Sequence, residues 1–357
     1  MPTPQPSNTA CRMDGIRQYI RENIAALEPY STARDEYKGE LGILLDANES
    51  PYGSGVNRYP GAALKEKLRG EVARIRNVAP ERLFLGNGSD EAIDLLYRIF
   101  CEPHRHNAII IAPSYGMYSV CADINAVERR MVSLREESFA LDADALLAAC
   151  DENSRLMFVC SPNNPTGNSF SLSDIERLAR EFRGIVAVDE AYIDFSAGES
   201  AVPLTEKYPN LIVLQTLSKA WGMAGLRIGL AIGNPEIIGV MRQVKYPYNI
   251  GTDTLQLALE RLAHNDVAAQ VAEIVAERAR VASALEGAGC VQRVFPSDAN
   301  FLLVRCSDPR GLYGRLLRAG VIVRDRSGVP LCGGCLRITI GTPAENDKLI
   351  ETVRNYE

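Results

Sequence analysis

Residues Leu211–Gly229 read LIVLQTLSKAWGMAGLRIG, a short apolar run that leads into hydroxyl groups and a lysine. The apolar run predicts a buried strand, and residues two apart on a strand face the same side, so Thr216 and Ser218 should point together. Lys219 follows at once, and Arg227 lies eight residues further on. This grouping suits an anionic phosphate beside an amine that can form a Schiff base with a carbonyl. A Ser-Lys pair in a glycine-rich turn is also a common surface feature, so the stretch alone decides nothing.

Similar apolar runs recur through the middle of the chain and alternate with helical patterns. Such continuous runs are typical of strands buried on both faces of a parallel sheet. The helical patterns cover residues 63–76 and a segment that opens at a capping-box pattern, Ser173–Glu176. The predicted strands are residues 42–45 at the start, then Arg82–Leu85, Ala108–Ala112, Leu156–Cys160, Ile185–Val188, Leu211–Leu214 and Ile228–Ile232. We therefore predict an α/β fold with a mainly parallel sheet flanked by helices.

The alternation of strand and helix patterns ends after Tyr246. An amphipathic pattern predicts a long helix over residues 266–286. Shorter patterns then predict a helix at 309–319 and strands at 321–324 and 336–340. We expect a large domain over residues 46–245 and a smaller α+β domain over residues 246–357. Residues 1–45 are interpreted as an N-terminal arm that returns to the small domain.

The composition argues against several classes of protein. The 357 residues carry a formal net charge of −6 and no basic block, which argues against a nucleic-acid partner. Nine scattered cysteines favour reduced thiols in a cytoplasmic protein. The Cys332–Cys335 pair has no second pair to complete a zinc site, so we interpret it as structural. The three histidines lie far from the stretch above, so no metal site is expected. No apolar run approaches the ~20 residues that cross a bilayer, so no membrane partner is expected.

Ligands of open parallel sheets bind beyond the carboxyl ends of the strands, and three polar motifs fall at such ends. In Gly86–Glu91, free backbone N–H groups at a helix start can hold a phosphate, and Ser89 can cap the helix. In Ser161–Gly167, two prolines fix a turn that presents Asn164. Asp189–Tyr192 places a carboxylate after an apolar strand, where burial is costly without a partner. Each motif alone also fits an ordinary turn or helix start.

Together these motifs resemble those of the fold-type I pyridoxal-phosphate aminotransferases. More narrowly, the chain is similar to the histidinol-phosphate aminotransferase family, in the same order, over residues 30–341. The further segments that carry this similarity are Asn48–Gly53 (NESPYG), Asn57–Pro60 (NRYP), Pro113–Tyr118 (PSYGMY), Val323–Arg326 (VRDR) and Cys335–Thr339 (CLRIT). The chain departs from many relatives in its short connection between Gly53 and Asn57, which leaves the local path of the arm open.

The resemblance implies roles for the matching residues. Lys219 would hold pyridoxal 5'-phosphate and move the substrate proton, and Asp189 would keep the ring nitrogen protonated. Tyr115 would stack on the ring, while Asn164 and Tyr192 would bind its phenolic oxygen. The residues implied at the cofactor phosphate are Ser89, Asp90, Thr216, Ser218, Arg227 and, from a second subunit, Tyr59. The residues implied at the substrate anion are Arg337, Arg324, Tyr30 and Asn48.

The same resemblance implies an active homodimer, because Tyr59 would reach the cofactor of the partner subunit. Related enzymes also suggest a cis peptide bond between Asn164 and Pro165. The implied reaction is ping-pong amino transfer between L-histidinol phosphate and 2-oxoglutarate, which gives imidazole acetol phosphate and L-glutamate in histidine biosynthesis. Three alternatives remain open from the sequence: an aromatic amino acid aminotransferase, a threonine-phosphate decarboxylase, and a non-enzymatic protein on the same fold.

Overall fold

A sheet of seven strands forms the centre of the larger part of the molecule. The computed structural model describes residues 15–28, 30, 32–36, 42–264 and 266–356, so residues 1–14 of the predicted arm lie outside the described part. The strands of this sheet are β1 (Leu83–Asn87), β2 (Asn107–Ala112), β3 (Glu128–Ser133), β4 (Ser154–Cys160), β5 (Ile185–Asp189), β6 (Leu211–Thr216) and β7 (Ile228–Gly233).

The order of strands across this sheet is β1-β7-β6-β5-β4-β2-β3. Neighbouring strands from β3 to β6 run parallel, and β7 is antiparallel to β6 and β1. Every residue of β2, β5, β6 and β7 is buried, because helices cover both faces of the sheet. The predicted mainly parallel α/β sheet is therefore confirmed.

The helices follow the strands in the alternation that the sequence predicts. Those before the central strand β5 are α1 (Glu22–Ala25), α2 (Ala33–Glu36), α3 (Ala62–Arg76), α4 (Ser89–Phe100), α5 (Met117–Ile124), α6 (Ala143–Ala148) and α7 (Leu172–Glu181). Those after it are α8 (Leu204–Lys207), α9 (Pro235–Val244), α10 (Thr252–Ala263), α11 (Val267–Glu286), α12 (Pro309–Arg318) and α13 (Pro343–Arg354). None of the helices in the described ranges is long and apolar enough to cross a membrane.

Several strand predictions differ from the structure. Of the strand predicted at residues 321–324, only Arg324 is in a strand, which continues to Asp325. Residues 42–45 form no strand, and the side chains of Ile43 and Leu45 are 91% and 86% exposed. This segment is held instead by the buried Arg34, which pairs with Glu49 at 2.5 Å and with Asp46 at 3.0 Å. The hydrogen bond from Arg34 lowers the pKa of Glu49 to about 2. Strand β3 was missed because its residues ERRMVS alternate between exposed and half-buried, as is typical of the edge of a sheet.

The start of α7 also differs from its prediction. The helix begins at Leu172, and its N-cap is Ser171 rather than Ser173. The backbone N–H of Asp174 donates to the hydroxyl of Ser171 at 3.1 Å. The sequence carries serines at both positions, and only the earlier one combines an extended backbone with a reachable N–H group.

A second, antiparallel sheet forms the smaller α+β part. Its strands are β8 (Val291–Val294), β9 (Phe301–Cys306), β10 (Arg324–Asp325) and β11 (Cys335–Thr339), in the order β10-β11-β9-β8. Helices α11, α12 and α13 pack on one face of it around Leu285, Leu316 and Leu349. Residues on its other side, Phe295 and Leu303, join the core beneath the large sheet. The two sheets are thus packed against each other, which brings their ends into one cleft.

Two segments, helix α10 and the N-terminal arm, pack on a different part of the molecule from the one expected. Helix α10 packs on α3 and on the core of the large sheet, so the change of packing partner falls at α11 rather than near residue 246. In the arm, Ile16 is buried against the helices of the large sheet, and the N–H of Arg21 donates to the carbonyl of Ile99 at 2.9 Å. The described residues 16–24 therefore contact the large part, whereas the small one was expected. Apolar side chains on both segments drive this placement.

Candidate active site

A cavity of about 310 Å³ lies at the carboxyl ends of β4, β5 and β6, and residues of both sheets line it. This is the place where open parallel sheets bind ligands. The lining residues that the sequence predicted are Ser89, Asp90, Tyr115, Asn164, Asp189, Tyr192, Thr216, Ser218, Lys219, Arg227, Arg324 and Arg337. The structure adds Cys160, Ala191 and Arg326 to them.

Asp189 is the last residue of β5 and is almost fully buried, at 3% exposure. Burial raises the pKa of its carboxyl group, while hydrogen bonds from the Tyr118 hydroxyl at 2.6 Å and the Ala191 N–H at 3.0 Å act in the opposite direction. Tyr118 itself is fully buried and stacks on Phe158 with ring centroids 4.9 Å apart. The carboxyl group is therefore held by these two hydrogen bonds and lines the cavity, and no cationic side chain of the described residues is bonded to it.

Lys219 follows strand β6 by three residues and lines the cavity. The hydroxyl of Thr216 donates to the carbonyl of Ile228 at 3.1 Å and accepts from the N–H of Ser218 at 3.0 Å, which fixes the turn before the lysine. The Lys219 amine lies 5.6 Å from the centre of the Tyr192 ring. Partial burial, and then the charge of Arg337, lower the pKa of Lys219. The neutral, nucleophilic form of the amine is therefore favoured in comparison with a lysine in water.

The turn between β1 and α4 forms an anion cradle beside Lys219. The N-cap of α4 is Gly88, which has a positive φ of 76°, and Ser89 is the first residue of the helix rather than its cap. A Cβ atom at Gly229 would lie 2.1 Å from the backbone of Gly88 and Ser89, so only glycine allows β7 to approach so closely. The helix start presents free N–H groups, and Arg227 stands 3.4 Å from Asp90 at the same place.

Tyr115 and Asn164 border the cavity from neighbouring loops. The hydroxyl of Tyr115 donates to Asp90 at 3.0 Å, and burial raises its pKa. Arg337 donates to the side-chain oxygen of Asn164 at 2.5 Å, which links the two sheets across the cavity. The Asn164–Pro165 peptide bond is cis, as predicted, and the Ala112–Pro113 and Ser161–Pro162 bonds are cis as well.

Three arginines line the cavity, and we call them the arginine cluster: Arg324, Arg326 and Arg337. Arg324 and Arg337 are directly opposite each other on β10 and β11. The guanidinium group of Arg337 also lies 5.4 Å from the centre of the Phe301 ring. Two carboxylates, Asp90 and Asp189, line the same cavity, and within the described residues neither forms an ion pair with the arginine cluster. The cavity thus combines an amine, a buried carboxylate and two separate anion sites.

Comparison with known proteins agrees with this arrangement. Residues 42–353 match the family described as aminotransferase class I and II. A histidinol-phosphate aminotransferase of Parabacteroides distasonis is 50% identical over 348 residues, which cover 97% of this chain and 100% of the relative. The chain belongs to the class I and II aminotransferases, in the histidinol-phosphate aminotransferase family. The resemblance seen in the sequence is therefore confirmed.

Solved structures of this family share the fold. The histidinol-phosphate aminotransferase of Clostridium acetobutylicum superposes with a TM-score of 0.76 and 25% identity, covering 84% of this chain and 90% of that one. The enzyme of Sinorhizobium meliloti, solved in complex with pyridoxal-5'-phosphate, has a TM-score of 0.76 and 24% identity, covering 86% of this chain and 89% of that one. The fold-type I architecture expected from the motifs is confirmed as well.

Three residues implied by the family motifs do not line the cavity of their own chain: Tyr30, Asn48 and Tyr59. Tyr30 is 77% exposed and borders a different cavity, and Asn48 is exposed as well. Tyr59 is 48% exposed and stacks on Tyr248, with ring centroids 4.2 Å apart. All three lie on the segments before α3, outside the large sheet. Their positions within one chain therefore leave the roles implied for these three residues as predictions.

Two residues with a part in the site, Tyr118 and Arg326, lie within the quoted motifs but were not predicted as site residues. Tyr118 closes the PSYGMY motif and bonds to Asp189, and Arg326 closes the VRDR motif and lines the cavity. The spacing of Arg326, two residues after Arg324, was a usable signal, because such residues share a face of an extended segment. Among the described residues, no group of histidine, cysteine, aspartate and glutamate side chains is arranged to hold a metal ion. Cys332 and Cys335 are fully buried free thiols in the core, which suits the structural interpretation.

Proposed function

We propose that this enzyme transfers an amino group between L-histidinol phosphate and 2-oxoglutarate, giving imidazole acetol phosphate and L-glutamate in histidine biosynthesis. The observation that carries the proposal is one cavity lined by Lys219, the buried Asp189 and an arginine cluster that has no ion-pair partner among the described residues. The close relative named above bears this activity in its name.

The residues of the cavity fit pyridoxal 5'-phosphate. The buried Asp189 calls for a cationic partner such as a protonated ring nitrogen, and Tyr115 would lie against the ring. The phosphate would bind the cradle at the start of α4 and the turn that precedes Lys219. The residues of this phosphate site are Ser89, Asp90, Thr216, Ser218 and Arg227. When bound, pyridoxal phosphate supplies a ring that withdraws the electrons left on the amino donor's α-carbon.

Lys219 is the residue that attaches the cofactor and moves protons in this proposal. Its lowered pKa leaves the amine neutral more often, so Lys219 would hold the cofactor by condensing with its carbonyl group, with loss of water. Once the donor's amine has displaced it, the freed Lys219 amine would accept the proton of the donor's α-carbon. Tyr192 and Asn164 would orient the ring through its phenolic oxygen. Asn164 is held for this task by the hydrogen bond from Arg337.

The arginine cluster would bind the end of the substrate that does not react. L-Histidinol phosphate has no α-carboxylate, so its phosphate and the carboxylate of glutamate must use the same anion site in turn. The planar fork of Arg337 suits both anions, and Arg324 stands opposite it on the neighbouring strand. Tyr30 and Asn48 would complete this end of the site.

We further propose that two copies of the chain form the active unit. Tyr59 is half exposed and does not line its own cavity, which suits contact with the cofactor phosphate of a partner subunit. Tyr30 is exposed in the same way. All described cysteines are free thiols, which is compatible with work in the reducing cytoplasm.

Incubation with L-histidinol phosphate and 2-oxoglutarate tests the proposed function. The wild-type enzyme is expected to form L-glutamate and to change its cofactor absorbance when the phosphate donor is added. Lys219→Ala should abolish both signals and retain the fold, whereas Lys207→Ala, an exposed lysine paired with Glu176, should retain both. Release of carbon dioxide from threonine phosphate, or turnover with aromatic amino acids alone, would reject the proposal in favour of one of the two alternatives.

A further inference from the structure

Arg326 stands on the same face of the β10–β11 hairpin as the other two members of the arginine cluster. Arg324 and Arg337 are opposite each other in the register of the two strands, so their side chains share a face. Arg326 follows Arg324 by two positions and continues the ladder, since its N–H donates to the carbonyl of Cys335 at 2.9 Å. Side chains two apart on an extended segment face the same way, and all three residues line the cavity.

The backbone around Arg326 is fixed on both sides. Its carbonyl accepts from the N–H of Val329 at 2.9 Å, which closes the turn that leads back to β11. That turn is anchored by Cys332 and Cys335, both of which are fully buried. The guanidinium group is therefore held beside the cavity by a rigid hairpin rather than by a mobile loop.

The side chain of Arg326 makes no hydrogen bond or ion pair within the described part of the chain, and its Nε is buried without a partner. The nearest acidic neighbour in sequence, Asp325, accepts from the N–H of Ser327 at 2.8 Å instead. Burial and the charges of Arg337 and Arg324 lower the pKa of Arg326. A partly buried guanidinium among like charges is stabilised when an anion binds beside it.

We propose that Arg326 determines specificity by binding the phosphate of the amino donor together with Arg324 and Arg337, an inference that rests on the function proposed above. A carboxylate has two oxygens, which the fork of a single arginine can occupy. A phosphate monoester has three free oxygens and carries up to two negative charges. Arg326 therefore has a partner when the phosphate substrate is bound and none when glutamate is bound.

The test compares Arg326→Gln with wild-type holoenzyme on two amino donors. The KM for L-histidinol phosphate should rise roughly 10- to 100-fold, as expected for the loss of a hydrogen bond to a charged group. The KM for L-glutamate should change by less than about twofold, because a single arginine fork already satisfies a carboxylate. Inorganic phosphate is used as an inhibitor that competes with glutamate. Its inhibition constant should rise by the same factor as the KM for L-histidinol phosphate. Arg326→Lys should recover part of the loss because it keeps the charge.

Matched controls separate recognition from folding. Arg318→Gln removes the same charge from the exposed end of α12, outside the cavity, and should leave both KM values unchanged. Cofactor absorbance and the unfolding temperature of Arg326→Gln should match the wild type. Equal losses for both donors, or no loss for either donor and for inorganic phosphate, would overturn the inference. If wild type rejects L-histidinol phosphate, the proposed function fails, and inhibition by inorganic phosphate still decides the role of Arg326.

Discussion

The hydroxyl of Tyr118 donates a hydrogen bond of 2.6 Å to Oδ2 of Asp189. Burial raises the pKa of this carboxyl group, and the bond from Tyr118 is the foremost contribution that lowers it. The charged carboxylate is the form that would hold a protonated ring nitrogen. Tyr118 therefore supports cofactor binding without lining the cavity itself.

Tyr118→Phe should weaken cofactor binding by ~1.5–3 kcal/mol, since it removes a hydrogen bond to a charged group. Dialysis of the holoenzyme against buffer, followed by measurement of retained pyridoxal phosphate, gives the dissociation constant. Tyr208→Phe is the control, because this tyrosine also bonds to a carboxylate, that of Glu176 at 2.8 Å, away from the cavity. Equal cofactor affinity in Tyr118→Phe and wild type would contradict the role given to Tyr118.

The reactivity of Lys219 should depend on pH in a way that Arg337 controls. Arg337 is the second cause, after burial, of the lowered pKa of Lys219. Arg337→Gln removes a positive charge that repels the protonated amine, so the pKa of Lys219 rises and the neutral amine forms only at higher pH. Covalent capture of pyridoxal phosphate by the apoenzyme, trapped by borohydride across a pH series, should shift its midpoint upward. A midpoint that stays in place or moves to lower pH would refute this coupling, and Arg318→Gln should cause no shift.

Arg337 and Arg324 should differ in the substrates that they serve. Arg337→Ala should lower kcat/KM by ~2–5 kcal/mol with both amino donors, because each brings an anion to a desolvated site. Arg324→Ala should cost ~1–3 kcal/mol with L-histidinol phosphate and less with glutamate, since a dianion needs more positive charge. Single-turnover rates with each donor measure the two effects. Unchanged reaction of Arg337→Ala with L-histidinol phosphate would show that the anion site is elsewhere.

Gly229→Ala should disturb the anion cradle. A Cβ atom at this position would lie 2.1 Å from the backbone of Gly88, so the start of α4 must move away from β7. Overpacking of this kind costs ~1–3 kcal/mol of stability, and displaced N–H groups should also weaken binding of the cofactor phosphate. Thermal unfolding and cofactor titration test both effects. Gly225→Ala is the control, because its new methyl group would meet no atom within 4 Å, and similar results for the two variants would contradict the prediction.

The sequence predicted most of this fold and cavity because the decisive signals are local. Continuous apolar runs marked the buried strands, and polar motifs at their carboxyl ends marked the cavity, including Asp189 and Lys219. The edge strand β3 was missed because its residues ERRMVS are partly charged, are exposed or half-buried, and form no continuous apolar run. The contacts of α10 and of Ile16 with the large sheet could not be predicted, since an apolar face does not specify its partner. The spacing of Arg326 after Arg324 could have marked it as a lining residue, but the lack of a partner for its Nε among the described residues is visible only in the structure.

Asn164 and Arg337 touch across the cavity although 173 positions separate them in the chain. The residues that would hold the cofactor within one chain all precede Ile228, whereas the arginine cluster begins at Arg324. A ribosome therefore makes all of these cofactor residues before it reaches the arginine cluster, although Tyr30 and Asn48 come earlier still. The arginine cluster, which would choose the amino donor, is the last part of the site to be synthesised.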